Sequence, residues 1–324
     1  MTTSSVFTYL NALFPRRYRS VRKVEFFGGE PTLCPDVIEA TCMFFSKLVD
    51  SGEILGMPEF LMVSNGTLIN ETTAKLIAKY KIGVTISIDG PQDINDLLRI
   101  NSKGVGSFSL IKHGINNMEK AGMPPVMIEA TYTQLHKKHG YSKHDIKVFL
   151  ENEFHVKDII IADCNEGGDS SLVIKKTDSD LDDYEFSYNS MLSHTYSRLK
   201  RKAISPYGCS VGISSFAIIP NGDIYPCHFF LYYPEYRIAY FDGEDFDFSA
   251  YHEIQKKFEF INMHHRVECR SCWAKPVCAT CSAIYLLEND IDLIKRECAI
   301  RKQIGKKMIL DCVKICYAEK HNDL

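Results

Sequence analysis

Over the first two hundred residues, short runs of β-branched and aromatic residues alternate with amphipathic stretches, the pattern of βαβ units around a parallel sheet. Strands are predicted at 22–27 (RKVEFF), 60–64 (FLMVS), 84–88 (VTISI), 125–132 (PVMIEATY) and 158–162 (DIIIA). Between them, 36–50 carries Ile38, Cys42, Phe45 and Val49 at helical spacing, and a helix over 71–80 follows a capping Asn70. The opening MTTSSVFTYLNALF reads as another helix, capped by Ser or Thr, with Val6, Leu10 and Phe14 on its buried side. Every strand stops at a polar or glycine-rich turn: GGEP, NGT, DGP, TQLH and DCNEGG. In parallel α/β folds the carboxyl ends of the strands carry the site, so these five turns are expected to converge on one pocket.

Residues 134–146 and 165–184 are polar and contain glycine, and they read as loops, with His136, His139 and His144 as surface histidines rather than metal ligands. A helix over about 180–202 leads into a region with a different pattern, a hairpin of SSFAII and IYPCHFF turning at Asn221–Gly222. The expected division is therefore an α/β part over 1–200 and a second part over 201–324. No internal repeat or low-complexity tract is evident.

Composition narrows the class. With 324 residues, 45% of them hydrophobic, the chain can bury one large core or a domain with an appended module. A net charge of -3 and scattered Lys and Arg give no footprint for nucleic acid. There is no uninterrupted apolar run of about 18 residues for a membrane span, and no secretory signal pattern follows Met1, so cytoplasmic placement without a membrane partner is expected.

Cysteine usage changes the picture most. Twelve cysteines in a reducing compartment point to metal rather than to disulfides, and seven of them fall between Cys209 and Cys298. In CRSCWAKPVCATC, two pairs at two-residue separation place Cys269, Cys272, Cys278 and Cys281 at metal-ligand spacing, suited to zinc or to an iron–sulfur cluster. On that stretch alone a structural zinc ribbon stands level with a cluster. Cys42 belongs to its helix's buried face, and Cys312 and Cys316, on a helical stripe with Met308, are expected in the core. Cys34 follows the GGEPTL turn, and Cys164 ends a strand.

The order Cys209, Gly222, Cys227, Cys269, Cys272, Cys278, Cys281, Cys298 resembles the SPASM domain, which extends many radical SAM enzymes and holds two auxiliary four-iron clusters. The resemblance implies Cys209, Cys227 and Cys281 for auxiliary cluster I, and Cys269, Cys272, Cys278 and Cys298 for cluster II. Cluster I then has three thiolates, leaving its fourth iron position open to a substrate thiolate, with Cys164 the one internal alternative. Cys278-Ala-Thr-Cys281 departs from the longer glycine-rich spacer of many relatives. Upstream, Gly28-Gly29-Glu30-Pro31 resembles the radical SAM GGE motif: the glycines admit a ligand to the backbone, and Glu30 would pair with the amino group of S-adenosylmethionine. SNGT with Ser64 and Asn65, and SIDGP with Ser87 and Asp89, resemble the strand ends that contact the cofactor's ribose and methionine parts. Arg99, by itself a solvated surface residue, lies where the family keeps a carboxylate-binding arginine.

The resemblance spans residues 1 to about 300 and implies an α/β fold: an incomplete (β/α)6 radical SAM partial barrel lacking its first strand, then a small cysteine-rich SPASM domain with a β-hairpin and helices. Within the superfamily, FFGGEPTL, IEATYT followed by a histidine, and CWAKPVC look most like peptide maturases of ribosomally made precursors, including those that build thioethers from cysteine. The implied chemistry is a 5'-deoxyadenosyl radical taking hydrogen from an unactivated carbon of a cysteine-containing peptide, with an external reductant. His228, following Cys227 where some relatives carry an acidic base, is the candidate for proton transfer, with a structural hydrogen bond as the alternative. The family's radical cluster needs a CxxxCxxC loop ahead of GGE, whereas the first cysteine here is Cys34. Three explanations follow: a truncated gene, a split enzyme whose second chain carries the loop, or a non-radical iron–sulfur peptide-binding or scaffold protein. Truncation is favoured, because the VEFF strand would otherwise present an apolar edge, and it implies poor solubility and no cleavage of S-adenosylmethionine.

Overall fold

The computed structural model describes residues 1–164, 170–174, 188–202, 206–278, 280–288 and 291–322. The chain divides into two compact units, Thr2–Ser187 and Tyr188–Leu324.

The first unit opens with α1 (Thr3–Leu13), where the Thr2 hydroxyl accepts from the Ser5 amide while Ser5 caps back, and Val6, Tyr9, Leu10 and Leu13 are buried. Then follow β1 (Lys23–Phe26), a 3-10 turn at Pro31–Leu33, α2 (Pro35–Asp50), β2 (Glu59–Ser64), α3 (Glu71–Tyr80), β3 (Gly83–Ser87), α4 (Gln92–Leu98), α5 (Phe108–Lys120), β4 (Met127–Tyr132), α6 (Gln134–Lys138), α7 (Lys143–Phe154) and β5 (Ile159–Asp163). The five strands form one parallel sheet in sequence order, β1-β2-β3-β4-β5. All five predicted strands are present, shifted by a residue or two at their ends. Period-two alternation explains why: Phe60, Met62, Val84, Ile86, Ile128, Ala130, Ile159 and Ile161 are buried on one face. The other face, with Val63, Thr85, Ser87, Glu129, Thr131 and Ile160, is only half covered.

Helix α2 supplies much of the buried side: Phe45 meets Phe60 of β2 at a ring separation of 6.2 Å and Phe14 edge-on at 5.2 Å. Ile38, Cys42 and Phe45 are buried as expected, but Leu48 rather than Val49 closes the stripe. The Asn70 side chain caps α3 by accepting from the Thr73 amide at 2.9 Å. Helix α5 lies hard against the turn after β2. A Cβ on Gly114 would sit 2.2 Å from the Gly66 carbonyl oxygen, so only glycine permits this approach, and Asn117 Nδ2 donates to the Ile69 carbonyl at 2.9 Å.

Two readings of this unit are corrected. Residues 134–146 are not loop: Thr133 with His136, and Ser142 with Asp145, form reciprocal caps that start α6 and α7, so the polar residues there terminate helices rather than solvate a loop. His136 is not a surface residue but fully buried, whereas His139 and His144 are exposed as expected. The reading of 165–184 as loop falls mostly outside the described residues.

The second unit begins with α8 (Tyr188–Lys200), so the helix placed at the end of the first part in sequence groups with the second. A short hairpin follows, β6 (Ala217–Ile218) with β7 (Ile224–Tyr225), antiparallel as predicted. A second hairpin pairs β8 (Tyr240–Phe241) with β9 (Phe246–Asp247); α9 (Tyr251–Glu259), α10 (Val267–Arg270) and α11 (Ile291–Asn322) complete the unit. Its core gathers Phe230, Tyr236 and Phe258, with rings 4.8 and 5.8 Å from Phe230. Helix α8 is tied to α11 by Lys200 Nζ and the Tyr196 hydroxyl, both donating to Glu319 Oε2 at 2.8 and 2.6 Å. Cys312 is buried as expected, but Cys316 is exposed: beyond Cys312 the residues of α11 lie at least partly open to solvent, so helical spacing there no longer reports a packed face. Among the described residues no helix is long and apolar enough to cross a membrane.

Candidate functional site

In the first unit, side chains at the carboxyl ends of neighbouring strands bind to one another. Chain direction reverses after β1 through Gly28 (φ 90°) and Gly29 (φ 54°), both in the left-handed region, with nothing within 4 Å of where a Cβ would stand. Glu30 then caps the 3-10 turn. Its Oε1 accepts from the Thr32 amide at 3.0 Å, the Thr32 hydroxyl at 2.5 Å and the Ser64 hydroxyl at 2.8 Å. Its Oε2 accepts from the Asn65 amide at 2.7 Å. Glu30 is thus a brace between the ends of β1 and β2 before it is anything else, and Oε2, with one protein donor, is the oxygen with capacity for a ligand. Asn65 Oδ1 accepts from the Thr67 amide and hydroxyl at 2.9 and 2.7 Å, which closes the SNGT turn.

The end of β3 is built around Asp89. Arg99, just past α4, donates to it in fork geometry, Nε to Oδ2 at 2.7 Å and Nη2 to Oδ1 at 2.9 Å. Thr131 of β4 donates its amide to Oδ1 at 2.8 Å, while Asn95 Oδ1 accepts from the Asp89 amide at 3.1 Å. Arg99 is therefore not a solvated surface residue: its Nε and Nη2 donate to Asp89, and its side chain is 27% exposed. Ser87 lies on the half-covered face in register with Glu129 of β4. Burial pushes the Glu129 carboxyl above its usual range, with Arg99 pulling it down and Asp89 and Glu25 pushing it up.

Sequence reasoning named Gly28, Gly29, Glu30, Ser64, Asn65, Ser87, Asp89 and Arg99, all of which lie at or just beyond the carboxyl ends of β1 to β3 or past α4. It missed Asn95, Glu129, Thr131 and His136. The signal for His136 was Thr133-x-x-His136, a capping-box spacing with histidine in place of the acidic residue.

In the second unit the seven clustered thiols are half-buried. Burial raises the pKa of Cys209 and Cys227; charge on Cys281 raises both further, and Cys209 acts on Cys227. Burial likewise raises Cys269, with Arg266 opposing and Cys298, Cys278 and Cys272 reinforcing. Cys209, Cys227 and Cys281 thus feel one another's charge, as do Cys269, Cys272, Cys278 and Cys298. No group of three or more His, Cys, Asp or Glu is drawn into single-ion ligand geometry among the described residues. Thiols become thiolates when a metal takes them, so seven half-buried thiols are a donor set that fits soft-metal ligation. Tyr285, its hydroxyl pushed up to about 12 by burial and by the Cys298 sulfur at 3.7 Å, lies under the Arg266 guanidinium at 4.1 Å. His228, next to Cys227, is exposed and stacks on Phe229 at 4.3 Å.

The strand-end turns of a parallel α/β sheet thus carry a glycine-carboxylate turn and a clamped arginine, and residues 8–151 match the model of the Radical SAM superfamily. Among curated relatives, it is 26% identical over 272 residues to the cysteine-type anaerobic sulfatase-maturating enzyme of Clostridium novyi (strain NT), covering 78% of this chain and 71% of that one. Among solved structures, native anSMEcpe with bound AdoMet aligns with a TM-score of 0.64 at 19% identity, covering 97% of this chain and 90% of that chain. The same enzyme with bound AdoMet and Kp18Cys peptide aligns with a TM-score of 0.58 at 20% identity, covering 98% and 90%. At these identities the structural likeness is one of fold.

Proposed function

We propose that this chain is the cofactor-cradling and auxiliary-cluster portion of a radical SAM peptide maturase of the SPASM type. The observation that carries the reading is the mutual clasp of the strand ends, with Glu30 spanning β1 and β2 and Asp89 holding both Arg99 and β4. The open backbone at Gly28 and Gly29 receives the methionine part of S-adenosylmethionine, Glu30 Oε2 takes its amino group, and Arg99 Nη1 takes its carboxylate. Ser64, Asn65 and Ser87 line the ribose side. If bound there beside a reduced four-iron cluster, S-adenosylmethionine would supply the radical chemistry, hydrogen removal from an unactivated carbon, with electrons from an external reductant.

Cys209, Cys227 and Cys281 would hold auxiliary cluster I, and Cys269, Cys272, Cys278 and Cys298 cluster II. A set of three thiolates leaves one ligand to be supplied, and a cysteine of a ribosomally made precursor peptide fits it, which favours thioether formation as the finer reading. Similarity to a sulfatase-maturating enzyme, and to anSMEcpe bound to AdoMet and the Kp18Cys peptide, supports a peptide substrate. Exposed His228, beside a cluster ligand, is the group available for proton transfer at the peptide. Cytoplasmic placement is part of the reading, a reducing compartment being the one that keeps the seven thiols free for metal.

No CxxxCxxC lies within residues 1–324. The radical-cluster thiolates would therefore come from a segment joined to this chain or from a second chain. The test is anaerobic incubation of reconstituted protein with S-adenosylmethionine and dithionite, assayed for 5'-deoxyadenosine. This chain alone is expected to give none, and the chain supplied with a CxxxCxxC-bearing segment is expected to give it. Product from the chain alone would overturn the ligand assignment, and none from the completed protein would favour a non-catalytic iron–sulfur scaffold.

A further inference from the structure

We propose that His136 is a positioning residue for the Asp89–Arg99 pair: its Nε2–H holds the Asp89 carbonyl and thereby fixes the carboxylate that aims the Arg99 guanidinium at its ligand. The inference deepens the reading of Arg99 as the group that takes the methionine carboxylate, and for the ligand it rests on that reading.

The tautomer follows from the partners. His136 Nδ1 lies 3.0 Å from the Thr133 amide nitrogen and 3.0 Å from the Thr133 hydroxyl. A backbone amide only donates, so Nδ1 accepts and the ring proton is on Nε2. Nε2 lies 2.8 Å from the Asp89 carbonyl oxygen, which only accepts, so the proton is donated there. The ring is fully buried and packs against Tyr132 at a tilt of 32°, with centroids 5.0 Å apart.

Asp89 is held at every polar group it has. Its amide goes to Asn95, its carbonyl to His136, Oδ1 to the Thr131 amide and to Arg99 Nη2, and Oδ2 to Arg99 Nε. Three of those partners are fixed by elements outside β3: Asn95 by α4, Thr131 by β4 and His136 by α6. With 3% of Asp89 exposed and none of Asn95 or His136, no water stands ready to replace a lost donor. Removing the His136 donor leaves the Asp89 carbonyl unpaired in a buried site, and the peptide following Asp89 then turns to find another partner, carrying the carboxylate with it. A residue that merely fills space would not need a donor at this point, so the two roles separate experimentally.

The test compares His136→Leu, which keeps bulk and removes the donor, with His136→Gln, which keeps a donor at the corresponding nitrogen. In 15N-arginine-labelled chain, with the Arg99 signal assigned through Arg99→Lys, solvent exchange of the Arg99 Nε–H is read by NMR. Exchange is expected to rise about tenfold in His136→Leu, the worth of one net hydrogen bond, and to return near the original rate in His136→Gln. Unchanged exchange in a folded His136→Leu, or no rescue by glutamine, overturns the proposal. Should leucine prevent folding, the unaltered chain decides it: long-range 15N spectra are expected to show His136 as the Nε2–H tautomer, and the Nδ1–H tautomer would refute it. Equilibrium dialysis against S-adenosylmethionine and its decarboxylated analogue then tests the ligand. Arg99 is expected to confer a preference for the carboxylate form that His136→Leu loses. No preference in the unaltered chain would contradict the ligand reading, while the exchange rates still decide the role of His136.

Discussion

Glu129 illustrates what a single residue on the half-covered sheet face costs. Its carboxyl has no hydrogen-bond partner among the described residues, and burial, the largest cause, raises its pKa above the ordinary 4.5. The folded protein therefore keeps this proton to higher pH than the unfolded chain does. Stability is largest below the ordinary carboxylate pKa and falls as pH rises through 4.5 toward the raised value. Glu129→Gln is expected to raise the melting temperature at neutral pH by roughly 2–4 °C, and the gain should vanish as the pH drops below the ordinary range. A gain independent of pH would mean that charge is not the cause. A glutamate there is visible in the sequence, but its burial is not, because it depends on which strand face is covered. Gly28, Gly29, Glu30, Asp89 and Arg99 were named through the resemblance of GGEP and SIDGP to family motifs; taken alone, the first reads as a turn and Arg99 as a solvated surface residue. His136 was hidden by its neighbours, since a polar, lysine-rich stretch reads as loop unless the Thr133 capping spacing is weighed first.

At the scale of elements, the turn after β2 is held by α5 as much as by its own sequence. The Gly114–Gly66 approach lets the helix lie on the turn, and Asn117 latches it through the Ile69 carbonyl. Gly114→Ala sets a methyl 2.2 Å from a carbonyl oxygen, closer than any contact tolerates, and both partners are backbone. Denaturant unfolding should show a loss of about 1–3 kcal/mol, the usual range for overpacking, even though alanine is the better helix former. An unchanged or higher midpoint would contradict this packing. The strands were legible almost to the residue, because buried parallel strands concentrate β-branched and aromatic residues between turn signals. Helix α7 was not, since its first turn is Lys143, His144 and Asp145, and its buried face begins only at Ile146. The Gly114 contact was invisible for a further reason: it joins residues 48 positions apart on two different elements, as does the Asn117–Ile69 bond.

Across the whole molecule, the two units carry different chemistries, a strand-end ligand cradle in Thr2–Ser187 and seven half-buried thiols in Tyr188–Leu324. The spacing of the cysteines made a metal-ligand region readable, because Cys-x-x-Cys pairs are written locally, while the split into two sets rests on the family resemblance. Where the first unit ends was less readable, for α8 is amphipathic and its sequence does not say which core it joins. It joins α11, through Thr195 against Met308 and the Glu319 bonds. The central claim is that the seven thiols serve two four-iron clusters rather than one zinc, and metal content tests it directly. Chain reconstituted anaerobically with iron and sulfide, then desalted, is expected to retain about eight irons and eight sulfides. Zinc alone, or about four irons unaffected by replacing Cys209 and Cys227 with serine, would contradict it.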